Sequence, residues 1–150
     1  MTLSEFTAIT GLCFGLAGFV LGVLNYVRDR HRIDVLLQWD MEVSEGSGFD
    51  HTQKWGVIRV TNVGRRASYV SHVAIRVPSS YGHSHLLISS GIQGKKLSEG
   101  DPSEVYMVNQ EGMNLYAKDW KNLVAQINDS TGKTWKSKKL RKAKKPSWAD

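Results

Sequence analysis

A mainly β chain is predicted, made of one N-terminal transmembrane helix followed by a six- to seven-stranded antiparallel sandwich. Three observations carry that prediction. Residues Phe6 to Val27 run for 22 positions without a formal charge. Beyond them, apolar side chains alternate with polar ones at a period of two. Turn signatures then recur at short intervals, with no long helical pattern between them.

The charge-free run (FTAITGLCFGLAGFVLGVLNYV) would make a helix about 33 Å long at ~1.5 Å per residue, matching a hydrocarbon core of about 30 Å. Glu5 bounds it on one side, and Arg28, Asp29, Arg30 and Arg32 bound it on the other. Tyr26 falls where an interfacial aromatic anchor belongs. A cleavable signal peptide needs a basic leader and a small-x-small cleavage site. Here the leader is MTLSE, and Asn25-Tyr26-Val27-Arg28 offers no such site. A core helix of a soluble domain seldom stays charge-free for so long.

The cationic cluster Arg28, Arg30 and Arg32 follows the span, and no Lys or Arg precedes it. The positive-inside rule therefore expects the N-terminus outside and the rest of the chain in the cytoplasm. The single cysteine, Cys13, lies inside the apolar run, so no disulfide staples the domain and a reducing compartment suits it. Gly11, Gly15, Gly18 and Gly22 are spaced 4, 3 and 4 along the helix, with Ala8 roughly in line. Stacked small residues let two backbones approach closely in lipid, so a second copy or a membrane partner is expected on this stripe.

Val35, Leu37, Trp39, Met41 and Val43 alternate with Leu36, Gln38, Asp40 and Glu42 and read as a half-buried strand. Residues 44–53 (SEGSGFDHTQ) form a polar loop. Strands are expected over Lys54–Val63 and Ser68–Val77, joined at Gly64-Arg65-Arg66 and ended by Pro78. A short apolar run, Leu86-Leu87-Ile88, precedes the turn Leu97-Ser98-Glu99-Gly100-Asp101-Pro102. Glu104–Val108, a short helix near Met113–Trp120, Leu123–Asn128 and Lys133–Lys138 complete the series. Short strands at this spacing suggest an antiparallel sandwich of immunoglobulin-like character.

The phrase Val60-Thr61-Asn62-Val63-Gly64-Arg65-Arg66, followed by a β-rich run, resembles strands B and C of many bacterial immunoglobulin-like modules. Leu97-Ser98-Glu99-Gly100-Asp101 and Asn128-Asp129-Ser130-Thr131-Gly132-Lys133 resemble segments of a group of small, uncharacterised, membrane-anchored bacterial proteins. The resemblance implies an immunoglobulin-like β-sandwich and brings no activity or site residue with it.

No catalytic constellation can be assembled from the sequence. Gly132-Lys133-Thr134 superficially looks like the end of a phosphate-binding loop, but Ile127 stands where the motif needs its first glycine. His83 and His85 would supply two nitrogen ligands where a catalytic zinc needs three, and the spacing recruits neither His51 nor His72. No Gly-x-Ser-x-Gly elbow is present, and Cys13 would lie in lipid. No cofactor or metal is expected, and the chain is expected not to be an enzyme.

The formal net charge of +6 is concentrated in one place. Residues 133–145 hold eight Lys or Arg and no acid, while the other 12 basic residues face 14 acidic ones. A near-neutral body with a basic tail is therefore expected, divided as residues 1–32 (helix and juxtamembrane segment), 33–139 (sandwich) and 140–150 (tail). Lys136, Lys138, Lys139, Arg141, Lys142, Lys144 and Lys145 join Arg28, Arg30 and Arg32 as lipid-facing cations, since anionic lipids attract such clusters. Nucleic acid is not an expected partner, because no aromatic interleaves residues 136–145. The expected role is an accessory or scaffold module acting through protein contacts at the cytoplasmic membrane face. An extracytoplasmic adhesion module and a tail-driven binder of anionic lipid or nucleic acid are the alternatives.

Overall fold

The computed structural model describes residues 2–140 and 143–150. Helix α1 spans Leu3–Arg28, slightly longer than the charge-free run. Its start is fixed by a reciprocal cap: the Thr2 hydroxyl accepts from the Glu5 N–H at 3.4 Å, and the Glu5 carboxylate accepts from the Thr2 N–H at 2.8 Å. The Thr10 hydroxyl donates back to the Phe6 carbonyl at 2.8 Å, so this polar group needs no water inside the apolar stretch. None of the residues of α1 is buried by the rest of the chain. Phe14 is 74% exposed and Phe19 72%, and the helix is long and apolar enough to cross a membrane.

Among the described residues eight strands follow in two sheets, mostly antiparallel. Strand β1 (Ile33–Met41) pairs with β2 (Trp55–Asn62), which pairs with β6 (Glu104–Asn109). In the second sheet β4 (His85–Leu87), β3 (Ser68–Arg76), β7 (Val124–Asp129) and β8 (Thr134–Lys136) lie side by side. Strand β5 (Lys95–Leu97) pairs with the first half of β3, and β4 with its second half. The short apolar run at Leu86 therefore supplies only a fragment, and β5 is a strand that alternation did not mark. The helix expected near Met113–Trp120 is a 3₁₀ segment, Met113–Asn122.

One core joins the sheets. Ile33, Val35 and Leu37 from β1, Ile58 and Val60 from β2, and Val73, Ile75 and Ile127 from β3 and β7 belong to one buried cluster. The β1 alternation holds through Leu37 and then breaks. A register shift lies between Gln38 and Met41, and Asp40 has φ of 57°, a left-handed conformation that aspartate tolerates better than most residues. Opposite this bulge the Trp39 ring lies against Gly56, where any Cβ would collide with it.

The C-terminal segment uses that bulge. Ser147 donates its N–H and its hydroxyl to the Asp40 carboxylate at 2.8 and 2.6 Å. Trp148 meets Trp39 edge to face at 5.1 Å, Pro146 is fully buried, and Ala149 is 4% exposed. Leu140 packs against the core cluster. Residues 143–150, expected as part of a basic tail, are docked on the domain, and their charge points outward at Lys144 and Lys145. Arg141 and Lys142 lie outside the described residues.

Candidate membrane-proximal site

Only Asp29 to Arg32 separate α1 from β1, and the fold pins that linker. The Arg32 carbonyl accepts from the Val63 N–H at 2.9 Å and the Gly64 N–H at 3.1 Å. Gly64 is required here, since a Cβ would strike the Arg30 carbonyl and the Arg32 nitrogen. Asn62 holds the turn from inside: its amide donates to the Arg66 and Leu97 carbonyls at 2.9 Å each, and its oxygen accepts from Gly64 N–H at 3.0 Å. His31 Nδ1 lies 3.3 Å from the Ser68 hydroxyl. The linker that follows the helix is thereby fastened to the domain.

A second turn reaches the same end of the domain. Strand β7 finishes at Asp129, whose carboxylate accepts from Thr131 N–H at 2.9 Å, Lys133 N–H at 3.0 Å and the Trp135 indole at 3.0 Å, and from the Thr131 hydroxyl. Burial, at 6% exposure, would raise the Asp129 pKa, but these hydrogen bonds outweigh it and hold the carboxyl below its usual range. This carboxylate is committed to the turn. Lys133 Nζ instead lies over the Trp135 ring, 4.0 Å from its centroid.

The two turns and the linker together make a cationic collar. Arg28, Arg30 and Arg32 come from the helix end, Arg65 and Arg66 from the β2–β3 turn, and Lys133 from the β7–β8 turn, all of them exposed. Arg30 lies 5.2 Å over the Tyr26 ring, and Arg65 Nε lies 3.7 Å from Glu99. Between helix end and domain are two clefts. One, of about 340 Å³, is bounded by Tyr26, Arg30, Arg66 and Lys133. The other, of about 770 Å³, is bounded by Leu24, Val27, Val63 and Trp135.

The remaining site residues expected from the sequence fall elsewhere. Strand β8 runs away from the collar, placing Lys136 opposite Gln126. Lys138 and Lys139 border β1 near Asp34–Leu37. Lys144 and Lys145 sit near Asp40, about 23 Å along β1 from Ile33 at ~3.3 Å per residue. Lys145 pairs with Asp150 at 3.1 Å. Gly11, Gly15, Gly18 and Gly22 face open space, with no atom within 4 Å of where a Cβ would stand.

Sequence reasoning does not single out Arg65 and Arg66 as members of this surface, and it places Lys133 only in the basic run of residues 133–145. Their signal was present in the turn signatures Gly64-Arg65-Arg66 and Gly132-Lys133. Only the strand directions show that both turns return to the helix end. At the other end, His83 Nε2 lies 2.7 Å from the Tyr116 hydroxyl and His85 Nδ1 2.8 Å from the Ser84 hydroxyl. Among the described residues no group of three or more His, Cys, Asp or Glu converges as a metal site. No protein-family profile and no curated protein matches this chain.

Proposed function

We propose that the chain is a single-pass membrane protein whose immunoglobulin-like domain works at the cytoplasmic face as a non-enzymatic interaction or accessory module. The observation that carries this reading is the pinned linker with its collar. The Arg32 carbonyl bonds to Val63 and Gly64, so the domain has a fixed seat beside the helix end. Every cation of that seat lies on the C-terminal side of the apolar helix, and Glu5 is the formally charged residue between Met1 and the apolar run. Such a bias favours retention of the C-terminal side in the cytoplasm.

The strand order supports the immunoglobulin-like reading. On that reading β1, β2 and β6 would take the places of A, B and E, and β3, β7 and β8 those of C, F and G, with β4 and β5 as additions at the β3 edge. Protein contacts would be made by exposed apolar side chains on the domain, among them Tyr69, Leu87, Val105 and Leu115. The open glycine stripe supports a second contact inside the membrane, with another copy or a membrane partner.

Site-specific photo-crosslinking in intact cells tests the reading. A photoreactive residue at Leu87, Val105 or Leu115 should yield discrete protein adducts in the membrane fraction. Adducts at none of these positions, from correctly inserted protein, would contradict the interaction role.

A further inference from the structure

Within the collar, the smaller cleft has the chemistry of a defined anion site. Its cations arrive from three separate stretches of chain: Arg30 from the linker, Arg66 from the β2–β3 turn and Lys133 from the β7–β8 turn. Among the described residues, none of the three is ion-paired with a carboxylate. The nearest buried acid, Asp129, already accepts four hydrogen bonds from its own turn and indole neighbour. The acid lining the cleft is Asp29, so three positive groups face one negative group. Arg30 and Arg66 offer planar forks suited to phosphate oxygens, and Lys133 adds a point charge. Tyr26, on the last turn of α1, forms the wall next to the apolar helix.

We propose that this cleft binds the phosphate group of an anionic lipid headgroup, held by Arg30, Arg66 and Lys133. The assignment rests on the membrane-anchored reading above, because the cleft opens at the end of the apolar helix, where headgroups would stand. It goes beyond a diffuse attraction of basic residues to a charged surface. Lys144 and Lys145, in an equally basic stretch, lie near Asp40 at the far end of β1 and take no part. A free phosphate would meet the same cations but would not use the position of Tyr26.

The test uses the full chain in neutral detergent and dioctanoyl phosphatidylglycerol as probe, with bound lipid counted by native mass spectrometry. Dioctanoylglycerol, which lacks the phosphate, and inorganic phosphate are the comparison ligands. Phosphatidylglycerol should bind in preference to both. R66Q/K133Q should weaken it about thirty-fold, each cation near a lipid surface contributing on the order of a factor of five. K144Q/K145Q, which removes the same formal charge, should leave binding unchanged. R30Q tests the cleft without touching a domain turn and should weaken binding about fivefold. Equal loss in the two double variants, or loss in neither, would overturn the proposal in favour of diffuse electrostatics or none. Inorganic phosphate binding as tightly as the lipid would overturn the lipid assignment. The detergent measurement does not depend on sidedness or on a protein partner, so its failure leaves the interaction reading to stand or fall on its own test.

Discussion

Ser147 and Asp40, 107 positions apart, are joined by two hydrogen bonds to one carboxylate. This pair closes the C-terminal segment onto the bulge of β1 and brings Trp148 against Trp39. Asp40→Ala removes both acceptors. The expected cost is about 1.5–3 kcal/mol, the usual range for hydrogen bonds to a charged group. Trypsin should then cut faster after Lys144 in the variant, with the strands still protected. Unchanged cleavage and an unchanged Tm would contradict the closure.

Gly64→Val should dislodge the linker. The new side chain would occupy the space of the Arg30 carbonyl and the Arg32 nitrogen, and overpacking of this kind costs about 1–3 kcal/mol. Hydrogen exchange at the amides of Val63 and position 64, both bonded to the Arg32 carbonyl in the parent protein, should accelerate while the β3 and β7 core amides stay slow. Equal protection in the variant would show that the linker does not need this contact.

Much of this fold is legible in the sequence, because alternation reports a half-buried strand directly. Val35–Leu37 and Ile58–Val60 repeat the pattern that predicts them, while Val73 and Ile75 are buried as expected with Ala74 buried between them. The bulge at Asp40 is not legible: its positive φ interrupts the alternation, and its partner Ser147 lies far along the chain. That segment reads as a basic, lipid-facing tail because lysines dominate its composition. Its anchors, Leu140, Pro146 and Trp148, are too dispersed to form a periodic signal. The collar was half legible. Arg28, Arg30 and Arg32 stand out beside the span, whereas Arg66 and Lys133 join them only through strand direction.

Asp129 gives the β7–β8 turn an acid-sensitive hinge. Its folded pKa lies below the unfolded value, so its stabilising contribution is fully present above about pH 4, near the ordinary aspartate pKa. That contribution falls away as pH drops through the lowered folded value. Asp129→Asn should destabilise the domain at neutral pH by about 1–3 kcal/mol. It should also flatten the loss of stability on the acid side, as read by thermal melts between pH 3 and pH 7. A parallel acid decline in both proteins would assign that decline to other carboxylates.

The glycine stripe of α1 predicts close helix contact. Gly15→Leu with Gly18→Leu places branched side chains on the open face and should reduce self-association in a membrane two-hybrid assay at least severalfold. The same pair of substitutions on the opposite face, at Val20 and Cys13, should have little effect. Equal signals from all variants would remove the stripe as an interface.

The sidedness of the domain tests the central claim most directly. A reporter fused after Asp150, active on one side of the membrane only, should read the cytoplasm. Replacing Arg28, Arg30 and Arg32 with Gln should weaken that preference. A reporter active only outside the membrane would contradict the account and make the domain an extracytoplasmic module.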